Sequence, residues 1–322
     1  MSRGRGLEAE NSENPVPGTT QFLRKRNSGE ALFSRARVYP IEGCSMKPEV
    51  NWAPILLECK DNVLKHLRPL LGTLKEPQPD LGIGAGGDQM KLVDLASEKA
   101  IVEVLMQHNL SFTLISEESG ISEYGDTPKE LYVTIDPIDG TTNLVRGLPF
   151  YCTSIAVSYQ PRISQVFAGL VSDLYHGTTY YALSSGGAFR NGEKIATSKI
   201  GSLEEAVIGL DLNTYKVKEI APKLSDLIQH TKHIRHFGAN ALELCFVAEG
   251  LTDAFVDIRG KLRTTDVAAG FLILKEAGGI VASPDGRMFD VELDPRQTVT
   301  FVASGNPAIH EAIITLLKPK NG

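Results

Sequence analysis

The apolar run LYVTI at 131–135 stops abruptly against DPIDGTTN at 136–143. A β-branched, aromatic run of this kind is strand-like, so it delivers Asp136 to the edge of a sheet. Pro137 stiffens the turn and offers no N–H, and Asp139 returns toward the same point. Carboxylates held together repel and desolvate one another unless they are protonated or neutralised, which makes a divalent cation their natural partner. Hard oxygen donors without His or Cys favour Mg²⁺ over Zn²⁺. Gly140 lets a backbone N–H approach an anion closely, and Thr141 and Thr142 are placed to open a short helix whose N-terminus favours phosphate. An Asx turn capping a helix uses the same residue types, so the octapeptide alone leaves both readings open.

Two further acidic stretches bear on that choice. LISEESG places Glu117 and Glu118 at the end of another strand pattern, and TTDVAAG places Asp266 at the start of an apolar helix. Each alone reads equally as a cap or a loop charge. Three carboxylate-bearing element ends are accounted for more economically by one shared site than by three accidents.

The chain has 322 residues, 42% of them hydrophobic, enough for a folded core divided into two lobes. Its net charge of −6 argues against a general nucleic-acid binder, which needs clustered Lys and Arg. No run reaches the ~18–20 apolar residues that span a bilayer, so a soluble, cytoplasmic protein with no membrane partner is expected. Cys44, Cys59, Cys152 and Cys245 lack CxxC or zinc-ligand spacing and read as reduced, partly buried thiols, in keeping with a cytoplasm. Residues 1–45, rich in Gly, Ser, Asn, Pro, Arg and Glu, form an expected disordered extension. Glu8, Glu10 and Glu13 count against a transit peptide, and organised sequence begins just after Met46, which makes that residue a candidate natural start.

Helical periodicity covers 52–71 and 91–107, separated by the Pro- and Gly-rich KEPQPDLGIGAGGDQ. Strands are expected at 112–116 and 131–135, then an antiparallel meander over 151–190. Beyond about 195, helices near 215–229, 240–249, 265–277 and 307–317 alternate with strands near 205–210, 253–258, 279–283 and 299–304. The fold class is therefore α/β in the layered α+β sense, with an N-terminal α+β lobe over 46–190 and a C-terminal α/β lobe over 191–322. GIGAGG at 82–87 matches GxGxxG formally, but LKEPQPD before it is not a strand, so a mobile loop closing over a site is the better account.

EES at 117–119, DPIDGTTN at 136–143 and TDVAAG at 265–270 together resemble the inositol monophosphatase family of Mg²⁺-dependent, lithium-sensitive phosphatases, in that family's order and spacing. GAFRNG at 187–192 is also similar, and the likeness spans roughly 50–320. It implies a sugar-phosphatase fold of alternating αβαβα layers and a commonly dimeric protein, here expected as a homodimer. By the resemblance, Glu117, Asp136 and the Ile138 carbonyl hold one metal, and Asp136, Asp139 and Asp266 hold a second. Asp94 pairs with Thr141 and supports a weaker third ion, while Thr141 and Glu117 orient the attacking water. No covalent phosphoenzyme is needed. DQMKLVD at 88–94 departs from the family's DxVTxxD at Lys91, which resembles the archaeal branch and leaves the role of Asp88 open.

FGANALEL at 237–244 resembles the substrate-binding helix start, with Gly238, Ala239 and Asn240 where a Ser or Thr commonly follows the glycine. Seven residues before Asp266, inositol-specific members carry a glutamate, and this chain has Arg259. A guanidinium suits a second phosphate better than a sugar hydroxyl. On a strand, Arg259, Lys261 and Arg263 would share one face, although a solvated basic edge strand has the same pattern. The segment resembles the archaeal branch that hydrolyses both fructose 1,6-bisphosphate and inositol monophosphate. The expected substrate is fructose 1,6-bisphosphate, as in gluconeogenesis, with inositol 1-phosphate accepted. A narrow inositol monophosphatase, or a phosphatase for NADP or an adenosine bisphosphate, is the alternative. A metal-binding regulator without catalysis is disfavoured by the joint presence of Glu117, Asp136, Asp139, Thr141 and Asp266.

Overall fold

Two helices, the amphipathic α1 (Trp52–Leu71) and the more apolar α2 (Leu92–Gln107), turn Leu56, Cys59, Val63, Ile101 and Leu105 inward. In a computed structural model that describes residues 50–74, 79–213 and 215–318, they cover one face of an eight-stranded sheet. The expected disorder of 1–45, the start at Met46 and the state of Cys44 lie outside the described residues. The sheet comprises β1 (Phe112–Ser116), β2 (Gly120–Tyr124), β3 (Tyr132–Asp139), β4 (Cys152–Ser158), β5 (Val166–Asp173), β6 (Thr179–Leu183), β7 (Gly187–Arg190) and β8 (Glu193–Lys194), ordered β2-β1-β3-β4-β5-β6-β7-β8. The helix α3 (Thr141–Arg146) interrupts it after β3.

A second sheet is built from β9 (Val207–Leu210), β10 (His233–Arg235), β11 (Ala254–Arg263), β12 (Ile280–Ala282) and β13 (Thr298–Ser304), in the order β10-β9-β11-β13-β12. Between the sheets lie α5 (Asn240–Glu249) and α6 (Thr264–Glu276), and α4 (Val217–His230) with α7 (Pro307–Leu317) closes the far side. The five layers αβαβα match the expected class. Alternation along the strands is what allows it: Phe255 faces the middle core while Val256, its neighbour on β11, faces the outer one. Phe112, Phe255 and Phe301 are fully buried, and truncating such a ring to Ala costs roughly 3–5 kcal/mol. The chain leaves the first sheet at Lys194 and enters the second at Val207, while α5 and α6 pack against strands on both sides of that passage.

Three expectations change. β3 does not stop at Ile135 but runs to Asp139, with its register against β4 shifting between Asp136 and Asp139. Pro137 is tolerated there because a bulge asks no ladder hydrogen bond of it. β11 continues past 258 to Arg263 as the middle strand of its sheet, so it is not a basic edge strand. Its register shift between Asp257 and Leu262, with Gly260 at φ +67°, separates the three basic side chains that a regular strand would align. β2 and β10 were not expected, being a polar edge strand and a three-residue strand.

Candidate active site

Glu117 follows the last residue of β1, and its position is set from below. Glu98 of α2 is buried and accepts hydrogen bonds from the Ser116 hydroxyl and, at 3.3 Å, from Ser119 N–H, while Glu118 N–H donates to Ser116 Oγ at 3.1 Å. On β3, Asp139 Oδ2 accepts from Ala241 N–H at 2.6 Å and faces the Cys152 thiol at 3.6 Å. Cys59, Cys152 and Cys245 are all free and buried. Asp266 is the third residue of α6, and its Oδ2 accepts from Arg263 N–H at 2.9 Å. The cap reading and the site reading of Asp266 are thus both realised by one side chain.

These segments converge. Glu117, Asp136 and Asp266 each offer a carboxylate oxygen, and the three atoms lie within 4.8 Å of one another. Burial pushes Asp136 well above the usual carboxylate range, and the charges of Glu117 and Asp139 push it further. Glu117 is raised by burial and then by Asp266, and Asp139 to about 7 by the same two causes. Glu118 rises to about 8 through burial and Asp94. A buried set of hard oxygens that cannot all ionise without added positive charge fits a divalent cation.

Arg263 supplies part of that charge. Its guanidinium donates to Glu117 and Asp88 and, through Nε at 2.9 Å, to the Gly86 carbonyl. The glycine loop is docked as well: Ala85 N–H donates to Glu118 O at 2.9 Å and Gly86 N–H to Glu117 O at 2.7 Å. A Cβ on Gly86 would meet Arg263 Nε and Glu117 Cγ at 2.8 Å, so this glycine permits close approach to the acids.

Thr141 Oγ1 lies 3.2 Å from Asp94 Oδ1 and 2.9 Å from Ile138 O, with one hydrogen for two acceptors. Burial raises Asp94 to about 6. Gly140, at φ +87°, turns the chain from β3 into α3, and a Cβ there would sit 2.8 Å from Phe150 O. Asn143 fastens this turn to the segment before α5, its amide donating at 2.7 Å to both Phe150 O and Phe237 O.

A cleft of about 450 Å³ joins the pieces, and every candidate metal, catalytic or substrate-binding residue lines it except Ala239, which is buried as the N-cap of α5. Thr142 and Asn240 lie beside Gly140 and Gly238. The three basic residues differ. Arg259 is buried against Asp257 and Asp211, Arg263 holds the acidic cluster, and Lys261 is exposed, with no ion pair among the described residues. Sequence reasoning missed Asp211, His236 and Glu98. Asp211 follows β9 as Asp136 follows the apolar run of β3, and that repeated strand-end acid was the available signal.

The model of the family described as "Inositol monophosphatase family" matches residues 73–321. A fructose-1,6-bisphosphatase/inositol-1-monophosphatase of Methanothermobacter thermautotrophicus is 34% identical over 83% of this chain and 96% of its own length. A bifunctional NADP phosphatase/NAD kinase of Methanococcus maripaludis is 32% identical over 82% of this chain and 50% of its own. The crystal structure of an inositol monophosphatase-fructose 1,6-bisphosphatase superposes with a TM-score of 0.73 at 28% identity, covering 84% of this chain and 100% of that one. No described helix is long and apolar enough to cross a membrane. With its three acidic motifs gathered at one cleft in a five-layer fold, this chain belongs to the inositol monophosphatase family.

Proposed function

We propose that this chain is a Mg²⁺-dependent phosphomonoester hydrolase of sugar phosphates, with fructose 1,6-bisphosphate as its principal substrate and inositol 1-phosphate also accepted. The convergence of Glu117, Asp136 and Asp266 in a cleft shared with Gly140, Thr141 and Thr142 carries this reading. The names of the relatives described above support it. Glu117, Asp136 and the Ile138 carbonyl would hold one ion, Asp136, Asp139 and Asp266 a second, and Asp94 would support a weaker third. Mg²⁺ bound there would supply Lewis-acid stabilisation of phosphoryl oxygens and a more acidic water.

The chain's own groups do the positioning. Asp94 Oδ1 accepts the Thr141 hydroxyl hydrogen, which leaves the Thr141 oxygen lone pairs to receive a hydrogen from the attacking water. Glu117 is the second acceptor for that water. The backbone N–H groups of Gly140, Thr141 and Thr142, at the start of α3, would receive the phosphate. The cleft wall from Gly238 to Asn240 takes the leaving group, and Lys261 meets a second phosphate. The site is built for a small-molecule partner, and its expected setting is a cytoplasmic homodimer, checked by light scattering at twice the chain mass.

Phosphate release from fructose 1,6-bisphosphate, inositol 1-phosphate and NADP, each with Mg²⁺ and with a chelator, is the test. The highest kcat/KM is expected for fructose 1,6-bisphosphate, with depression by lithium. A higher value for NADP would favour the nucleotide reading, which the Methanococcus relative supports. No metal-dependent release from any of them would end the proposal.

A further inference from the structure

On the wall formed by β9 and β11, Arg259 is committed to two carboxylates. Its Nε lies 3.2 Å from both Asp257 oxygens, Nη2 lies 2.6 Å from Asp257 Oδ2, and Nη2 also donates to Asp211 Oδ2. All three side chains are buried, and two carboxylates against one guanidinium leave the unit with an excess of negative charge. Such an arrangement does not present a free cation to a phosphate dianion.

What the unit does present is an acceptor. Asp211 is 4% exposed, its Oδ1 is fully buried, and that atom has no hydrogen bond. His236 Nδ1 lies 3.5 Å from it, too long for a good hydrogen bond, on a side chain that is 46% exposed. Asp211, His236 and Asn240 all line the cleft, and Asn240 Oδ1 is also buried without a partner. A buried acceptor left unpaired is costly, and a ligand that brings donors would relieve that cost.

We propose that Asp211 is a specificity-determining residue that receives a hydroxyl of the substrate's carbon skeleton, with His236 beside it and Arg259 as the residue that positions its carboxylate. A hydroxyl donates one hydrogen and accepts others, so it can give its hydrogen to Asp211 Oδ1, which opens to the cleft when the half-exposed His236 side chain shifts, while its lone pairs face the imidazole. A phosphate dianion brings only acceptors and more negative charge. The wall therefore selects the polyol part of the substrate, and the second phosphate of a bisphosphate lies elsewhere, at the exposed Lys261. Fructose 1,6-bisphosphate and inositol 1-phosphate share that polyol character, which gives one physical reason for accepting both. This inference rests on the sugar-phosphatase reading above.

The test compares kcat/KM for fructose 1,6-bisphosphate, inositol 1-phosphate and 4-nitrophenyl phosphate, which carries no hydroxyl on its skeleton. Asp211→Asn should lower the ratio of either polyol substrate to the aryl substrate by about tenfold or more, mainly through KM. His236→Ala, at a half-exposed position, should lower the same ratio and keeps the test alive if the first variant does not fold. An equal loss on all three substrates would reduce Asp211 to a structural role and overturn the inference, as would an unchanged ratio in both variants. A wild-type protein that hydrolyses the aryl phosphate but neither polyol substrate would instead overturn the sugar-phosphatase reading, and the inference with it.

Discussion

Arg263 and Glu117 form a charged hydrogen bond between the two sheets, joining the end of β11 to the residue that follows β1. The same guanidinium reaches the Gly86 carbonyl and Asp88, so it fastens the glycine loop to the acidic cluster. Arg263→Gln removes the charge and shortens the reach. Backbone amides of Ala85 and Gly86 are expected to exchange hydrogen several-fold faster in that variant while α1 and α2 keep their protection, as read by exchange mass spectrometry. Unchanged exchange at 84–88 would mean that the loop is held by its backbone bonds alone.

Glu98 acts on the site through Ser116 and Ser119 without lining its acidic cluster. Glu98→Gln keeps the volume but weakens the anchoring of the strand end that carries Glu117. Outer partners of this kind typically contribute roughly 10–100-fold to metal affinity. Calorimetric titration with Mn²⁺ is expected to show weaker binding by about that factor, with the melting temperature nearly unchanged. Equal affinity in the variant would remove Glu98 from the account.

Stability should depend on pH in a direction set by raised carboxyls. Burial lifts Asp94 to about 6, Asp139 to about 7, and Glu118 and Glu243 to about 8, against unfolded values of ~4. Between those limits the folded, metal-free chain binds more protons than the unfolded one, so its stability falls as pH rises from about 4 to 8. Thermal melts in chelator are expected to shift upward as pH is lowered from 8 toward 5. Added divalent cation should raise the melting temperature most at the alkaline end, where the carboxylates are ionised. Metal-free stability that increases with pH would contradict the burial of uncompensated acids.

Much of this was legible in the sequence because the signals were local. The apolar stripe of α1 fixed its limits at Trp52 and Leu71, and three strand or helix ends with carboxylates marked Glu117, Asp136 and Asp266. What escaped was long-range. Nothing in the alternation of Arg259, Lys261 and Arg263 tells that a bulge at Gly260 will send them to three environments. The contact of Arg259 with Asp211 joins residues 48 positions apart, and no local pattern announces it. The glycine loop read as mobile is also docked, since Gly86 makes room for Arg263 against Glu117. Arg259–Asp211 and Gly86–Arg263 pair residues remote in sequence, where periodicity carries no information.

The most direct measurement is anomalous diffraction from crystals of the full chain soaked in Mn²⁺, a stand-in for Mg²⁺ with similar oxygen preference. The account predicts peaks between the carboxylates of Glu117, Asp136 and Asp266, with Arg263 withdrawn from Glu117, and their loss in Asp136→Asn. Peaks confined to other acidic surfaces, or a cluster that stays metal-free at millimolar Mn²⁺ with Arg263 still in place, would contradict it.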